Sequence, residues 1–122
     1  MKKIILIVDD FSSTRKVIGS GLIKMGFDVL EAENGEDAKK FFDGRTIDLV
    51  ITDLNMPVMN GVEFTKFIRS TNTYYKLPIL LLTTEIKVEK KDQALSAGVT
   101  AIMNKPYGAS DFEKIINKLL RI

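Results

Sequence analysis

Four of the five apolar runs in this chain end beside polar side chains that could do chemistry. They supply three carboxylates, two hydroxyls and one ammonium group: Asp9, Asp10, Asp53, Thr83, Thr84 and Lys105. If the runs are parallel strands, these side chains meet at one edge of the sheet. Three carboxylates held together raise one another's pKa, so a fold tolerates them when a cation binds there.

The donor set favours Mg²⁺ as that cation, because Mg²⁺ binds carboxylates, water and backbone carbonyl oxygens. Calcium fits less well, since the chain has no twelve-residue EF-hand loop. A carboxylate beside Mg²⁺ and a lysine can attack a phosphoryl group and become an aspartyl phosphate. The metal and the ammonium would neutralise charge on the phosphoryl oxygens, and a hydroxyl would hydrogen-bond to them.

The composition excludes several other kinds of chemistry. The 122 residues include no cysteine and no histidine. Disulfides, thiolate or Ser-His-Asp catalysis, and metals held by cysteine or histidine are therefore excluded. The net charge of +2 is too small to imply nucleic acid. No stretch approaches the ~20 apolar residues of a membrane span, and the first apolar run is too short for a signal peptide, so we expect a cytoplasmic protein.

Strands and helices are predicted to alternate five times. Short β-branched runs predict the strands Ile4–Val8, Val29–Ala32, Leu49–Thr52, Ile79–Leu82 and Ala101–Met103. Amphipathic patterns predict the helices Ser13–Met25, Glu36–Phe42, Val62–Arg69, Val88–Ala97 and Asp111–Leu120. This alternation favours an α/β fold, a doubly wound parallel sheet with helices on both faces. We expect one domain over residues 1–122 and no output domain.

Two helices allow finer predictions. Ser110 is expected to be the N-cap of the last helix. The first helix is expected to pack on the sheet through one apolar face, made of Val17, Ile18, Gly21, Leu22 and Met25.

The polar residues also form a family pattern. Asp9-Asp10 is followed by Asp53-Leu54-Asn55-Met56-Pro57-Val58-Met59-Asn60-Gly61, then by Leu82-Thr83-Thr84-Glu85 and by Lys105-Pro106-Tyr107. In order and spacing, over essentially the whole chain, this pattern closely resembles the receiver domain of two-component response regulators. The D-x-x-M-P-x-M-N-G run with an acidic pair and Lys-Pro is highly specific. Since the domain stands alone, the chain is most similar to chemotaxis regulators of the CheY type.

The resemblance implies a flavodoxin-like (βα)5 fold with strand order 2-1-3-4-5. It implies that Asp53 is the phosphoacceptor and also a metal ligand. Asp10 would hold Mg²⁺ directly, and Asp9 would help directly or through water. Asn55 would offer its backbone carbonyl to the metal.

Other positions receive roles from the same resemblance. Thr83 would bond to the phosphoryl group after the switch, and Lys105 would pair with that group. Pro106 would follow a cis peptide bond. Gly61 would permit the turn into the third helix, and Pro57 would have a structural role in the same loop.

The sequence departs from the family pattern at two positions. Ile102 stands three residues before the lysine, where such regulators usually carry an aromatic switch residue. The residue after Thr83 is often small, whereas Thr84 is β-branched and would narrow access to the phosphoryl group. Asn55 and Glu85 match the chemotaxis type, in which they assist or permit an attacking water. That pair suggests a short-lived phosphoryl group.

The resemblance also implies partners. A histidine kinase would donate the phosphoryl group, and the fourth helix, fifth strand and fifth helix would form the surface that binds a downstream protein such as a flagellar motor switch protein. The chain would be a monomer without nucleic-acid or membrane partners. Its chemistry would be limited to its own phosphorylation and dephosphorylation, so it would not be an enzyme acting on other substrates.

Several alternatives remain open from the residues. The chain could be an intermediate carrier in a phosphorelay, or a receiver-type module that binds constitutively, as Ile102 suggests. A phosphohydrolase of the haloacid dehalogenase type needs an aspartate at the position of Asn55 and a longer chain. A flavin-binding protein of similar topology would need a hydroxyl-rich phosphate loop, and the Asp9-Asp10 charges would repel a phosphate there.

Overall fold

The computed structural model describes residues 2–122, which form a five-stranded parallel sheet flanked by helices. The strands are β1 (Ile4–Val8), β2 (Asp28–Ala32), β3 (Leu49–Thr52), β4 (Ile79–Thr83) and β5 (Ala101–Asn104). The helices are α1 (Ser12–Lys24), α2 (Gly35–Ala38), α3 (Gly61–Ser70), α4 (Val88–Ala97) and α5 (Ala109–Leu120). The strand order is β2-β1-β3-β4-β5. The predicted fold class and strand order are therefore confirmed.

The sheet is covered on both faces, as its apolar runs predict. Side chains of a strand alternate between faces. On β1, Leu6 and Val8 belong to a core that includes side chains of α2, α3 and α4. Ile5 and Ile7 belong to the opposite core, with side chains of α1 and α5. For this reason β3 and β4 are buried throughout, and β1 is buried except at Ile4.

The prediction of which residues form the inner face of α1 is partly wrong. Val17 is 71% exposed, and a Cβ added at Gly21 would meet nothing within 4 Å. The buried residues are Ile18, Gly19 and Leu22. Gly19 faces the sheet, where a Cβ would lie 3.6 Å from a methyl of Ile7, an ordinary van der Waals distance. The contact line thus runs through Gly19, which hydrophobicity alone does not select.

Two helix ends also differ from the prediction. The N-cap of α5 is Gly108, not Ser110. Phe112 donates its backbone N–H to the Gly108 carbonyl at 3.0 Å, and its ring stacks on Tyr107, so the helix begins two residues earlier than expected. The second helix was expected to reach Phe42, but α2 ends at Ala38 and continues as a 3₁₀ turn.

The helices are short. The longest helix in residues 2–122 is α1, with 13 residues. Within that range, no helix has both the length and the apolar character that crossing a bilayer requires.

Candidate functional site

Strand pairing brings the three predicted carboxylates together. Asp9 and Asp53 are the first residues after β1 and β3, which are hydrogen-bonded neighbours. The Asp53 backbone N–H donates to the Val8 carbonyl at 3.0 Å, which continues that ladder past the strand end. Asp10 follows directly. Each of the three aspartates offers one carboxylate oxygen, and these oxygens lie within 4.8 Å of one another.

Lys105 reaches the same cluster from β5. Its ammonium donates to Asp9 Oδ2 at 3.2 Å and lies 3.9 Å from Asp53 Oδ2. The Lys105 backbone N–H donates to the Thr83 carbonyl at 2.9 Å, which places the lysine beside the end of β4. A single ammonium therefore faces two carboxylates across the edge of the sheet. The Lys105–Pro106 peptide bond is cis, as expected from the resemblance.

Backbone groups orient two of the carboxylates. Asp9 Oδ1 accepts from the Phe11 N–H at 2.9 Å, and Asp53 Oδ1 accepts from the Leu54 N–H at 2.7 Å. Burial raises the pKa of Asp53, and the Lys105 ammonium and the Leu54 N–H oppose that rise. The second oxygen of Asp53 is left to face the lysine, which suits it to act as a nucleophile.

The cluster fits a divalent cation. Asp10 Oδ1 is buried and has no hydrogen-bond partner among the described residues. A buried carboxylate oxygen without a partner is costly unless a cation or water meets it. Three clustered carboxylates and one lysine leave net negative charge, and hard oxygen donors are what Mg²⁺ prefers. The residues present therefore suit Mg²⁺ at this edge.

The hydroxyl and amide groups lie around the acidic cluster. Thr83 is fully buried, and its hydroxyl oxygen accepts from the Glu85 N–H at 3.1 Å. Thr84 is exposed. Asn55 donates its side-chain amide to Glu85 Oε1 at 3.5 Å, which links the loop after β3 to the loop after β4. The predicted groups thus share one edge of the sheet, with Asn55 and Glu85 paired across it.

The loop after β3 requires special residues. A Cβ on Gly61 would lie 2.4 Å from the Asp53 carbonyl oxygen, so only glycine fits there. The Gly61 N–H donates to the Leu54 carbonyl at 2.8 Å, which closes the loop. Pro57 is exposed, and its carbonyl accepts from the Met59 N–H at 2.7 Å. Val58, which lies between Pro57 and Met59, adopts a φ of 67°.

Ile102 lies on β5, opposite Leu81 of β4. It is half-buried and packs on the core beneath α2, α3 and α4. An isoleucine at this position has no ring that could move between a buried and an exposed position. Ile102 thus occupies the position where the family pattern predicts an aromatic switch residue, and its aliphatic side chain packs on this core.

Tertiary contacts add residues that the sequence analysis did not select. Arg15 of α1 donates to the Asp9 carbonyl and pairs with Glu31 at 3.2 Å. Lys90 of α4 pairs with Glu85 at 3.3 Å. A third group is the Asn104–Lys91 pair, which contacts the loop after β4. Each is a polar side chain whose contacts depend on how the elements pack, so spacing along the chain could not distinguish it from a solvated side chain.

Comparisons with known proteins identify the family of this chain. The sequence pattern of the response regulator receiver domain matches residues 5–117. The chemotaxis protein CheY-3 of Vibrio cholerae is 37% identical over 116 residues, which cover 94% of this chain and 89% of that protein. The chemotaxis protein CheY1 of Helicobacter pylori is 40% identical over 105 residues, covering 84% of this chain and 85% of that one.

Solved structures have the same fold. The structure of Vibrio cholerae chemotaxis protein CheY4 superposes with a TM-score of 0.91 at 34% identity, over 98% of this chain and 99% of that one. A receiver domain of a Pseudomonas aeruginosa sensor histidine kinase, with magnesium coordinated in its active-site cleft, superposes with a TM-score of 0.91 at 24% identity over the full length of both. That second similarity shows the fold alone. On its sequence match and its relatives, the chain belongs to the response regulator receiver domain family, whose CheY-type members are signalling proteins rather than classical enzymes.

Proposed function

We propose that this chain is a phosphorylation-controlled response regulator of chemotaxis or motility signalling that acts in the cytoplasm. A histidine kinase would transfer a phosphoryl group to Asp53, and the phosphorylated form would bind a downstream protein better than the unmodified form. The family and its chemotaxis relatives support this proposal.

The observation that carries the proposal is the arrangement around Asp53. Its carboxylate lies within 4.8 Å of Asp9 and Asp10 oxygens and 3.9 Å from the Lys105 ammonium. In an ordinary salt bridge one carboxylate would suffice for one lysine. Three carboxylates with one unpartnered oxygen suit an aspartate that works beside a metal ion.

The proposed transfer is a single displacement at phosphorus. An Asp53 Oδ attacks the phosphorus of a phosphohistidine, a P–O bond forms, and the P–N bond breaks as the imidazole leaves with its electron pair. Lys105 would neutralise charge on the phosphoryl oxygens, and the Thr83 hydroxyl would donate to one of them. Thr83 is fully buried and the Lys105 side chain is 19% exposed, so both groups are partly shielded from water that would weaken these interactions.

Mg²⁺ would be held by Asp9, Asp10, Asp53 and the backbone carbonyl of Asn55. When bound it supplies Lewis-acid stabilisation of the transferring phosphoryl group. The partner-free Asp10 Oδ1 and the net negative charge of the cluster support this set of ligands. The magnesium in the Pseudomonas aeruginosa receiver domain belongs to that protein and motivates the test below.

Phosphorylation would add a charge of about −2 beside Thr83 and Lys105. These residues end β4 and follow β5, so the change would bias the surface formed by α4, β5 and α5 between two conformations. A flagellar motor switch protein is the proposed partner of that surface. The chain would act as a monomer, without nucleic acid or membrane.

Intact mass spectrometry tests the proposal most directly. The protein is incubated with Mg²⁺ and a small acyl phosphate donor, and Asp53→Asn and metal-free samples serve as controls. We expect a gain of one phosphoryl group that both controls lose. No gain in the wild type, with Mg²⁺ binding shown by calorimetry, would overturn the proposed switch and favour constitutive binding, which the isoleucine at position 102 also suggests. Passage of the phosphoryl group to a second histidine protein would instead identify a phosphorelay carrier.

A further inference from the structure

Asn104, the last residue of β5, ties α4 to the loop after β4. Its side-chain amide donates to the backbone carbonyls of Thr83 at 3.2 Å and Glu85 at 2.7 Å. Its side-chain oxygen accepts a hydrogen bond from the Lys91 ammonium on α4. One exposed side chain thus makes three hydrogen bonds that fix the residues 83–85 against two other elements.

The loop residue fixed in this way is Glu85. Its carbonyl is held by Asn104, and its carboxylate is held by Lys90 at 3.3 Å and by the Asn55 amide at 3.5 Å. Lys90 and Lys91 are neighbours at the start of α4. Lys90 therefore holds the Glu85 side chain directly, and Lys91 holds the Glu85 backbone through Asn104.

We propose that Asn104, held by Lys91, is a positioning residue that controls how fast Asp53 loses its phosphoryl group. The inference rests on the proposed function, because it concerns the lifetime of the aspartyl phosphate. Asn104 would act through Glu85, by keeping the Glu85 carboxylate opposite the Asn55 amide.

The step affected is hydrolysis. A water oxygen attacks the phosphorus, a new P–O bond forms, and the bond between phosphorus and Asp53 Oδ breaks. The Asp53 carboxylate is regenerated, inorganic phosphate leaves, and the proton of the water passes to the phosphate or to solvent. An amide donor and a carboxylate acceptor 3.5 Å apart can orient that water, provided their spacing is kept.

Phosphoryl uptake should depend less on Asn104. Uptake uses Asp53, Lys105 and the Thr83 hydroxyl, whereas Asn104 bonds to the backbone carbonyls of Thr83 and Glu85 and to Lys91, and to none of those side chains. The bond from the Lys105 N–H to the Thr83 carbonyl is between backbone groups, so it survives any side-chain change. A positioning role therefore predicts a split between the two rates, whereas general distortion of the site would slow both.

The experiment measures both rates in Asn104→Ala. We expect a phosphoryl half-life about three- to tenfold longer than in the wild type, with uptake from a small phosphodonor within about twofold, because a misplaced group slows only the step it serves. Lys91→Met should lengthen the half-life less than Asn104→Ala does, since the Asn104 amide can still donate to the loop. Lys91→Arg should keep the wild-type half-life, because arginine can still donate to Asn104. Lys118→Met, which removes an exposed lysine near the end of α5, is the matched control.

A double-mutant cycle tests whether Lys91 acts through Asn104. If Lys91 acts through Asn104, adding Lys91→Met to Asn104→Ala changes the half-life no further. The inference is overturned if Asn104→Ala keeps the wild-type half-life, or if uptake and loss slow together. If Asn104→Ala does not fold, the same two rates are measured in the surface variant Lys91→Met, and the same outcomes support or overturn the inference. If the wild type takes up no phosphoryl group, the proposed function fails first, which is a different result from wild-type rates in all variants.

Discussion

At the scale of single residues, Lys105 competes with metal for the acidic cluster. Its ammonium lies 3.2 Å from Asp9 and 3.9 Å from Asp53, at the carboxylates that would bind Mg²⁺. The same ammonium would stabilise the transferring phosphoryl group. Removing it should therefore change metal binding and phosphorylation in opposite directions.

Lys105→Met separates the two effects. We expect Mg²⁺ to bind about fivefold more tightly, because one positive charge near the carboxylates is lost. Phosphoryl uptake should fall by about a hundredfold, since charge on the phosphoryl oxygens is no longer neutralised. Calorimetry gives the first quantity and intact mass the second. Weaker Mg²⁺ binding in this variant would contradict the proposed arrangement of charges.

Gly61 is a second decisive residue. In Gly61→Ala the new methyl would lie 2.4 Å from the Asp53 carbonyl oxygen, so the loop carrying Asp53 must move. We expect a loss of about 2 kcal/mol in the free energy of unfolding, together with weaker Mg²⁺ binding. Gly21→Ala is the matched control, because a Cβ there meets nothing within 4 Å. In the interior of α1 that change should stabilise the protein by about 0.5–1 kcal/mol.

At the scale of elements, the loop between β3 and α3 contains local strain. Val58 has a φ of 67°, which is unfavourable for a β-branched residue, and its side chain is 79% exposed. Exposure means that the side chain contributes little packing to offset that cost. The loop is held at its far end by the capping box of α3, in which Asn60 and Glu63 exchange hydrogen bonds of 3.1 and 2.9 Å.

Val58→Asn should therefore stabilise the protein. Asparagine tolerates the left-handed conformation, and we expect a gain of about 0.5–1 kcal/mol in the free energy of unfolding by denaturant titration. The control is Val17→Asn, an exposed helical position with a negative φ, where valine and asparagine have similar helix propensities. Equal effects at both positions would show that hydrophobicity, not backbone conformation, is responsible.

At the scale of the whole molecule, folding brings together carboxylates that repel one another. Burial raises the pKa of Asp53, which means that its ionised form costs folding free energy. That cost is absent when the carboxyl is protonated and appears as pH rises above the ordinary carboxyl pKa of about 4. Metal binding to the folded state should offset it.

The midpoint of thermal unfolding tests this balance in Asp53→Asn. Without metal, at neutral pH, we expect the variant to melt a few degrees above the wild type, and the difference should shrink toward pH 4. Millimolar Mg²⁺ should raise the wild-type midpoint more than that of the variant, and an EDTA wash should reverse the change. A variant that melts below the wild type at neutral pH without metal would contradict this account.

The sequence by itself determined the strands, their order along the chain and the polar residues at their carboxyl ends. These features are local: a short β-branched run predicts a strand, and the residue after Val8 or Thr52 is known from the chain. Parallel strands then place Asp9 and Asp53 at the same edge of the sheet. The family resemblance supplied the strand order and the proposed roles, because no local property specifies which strands are neighbours.

Only the tertiary structure decided the contacts between distant residues. Asn104 ends β5 and Lys91 lies in a polar stretch of α4, so their hydrogen bond and the bond from Asn104 to the loop after β4 depend on how α4 packs on the sheet. The inner face of α1 passes through Gly19, which is buried against the sheet beside Ile7. Lys105 meets Asp9 across 96 positions of sequence. Such contacts depend on packing of elements, which local patterns do not encode.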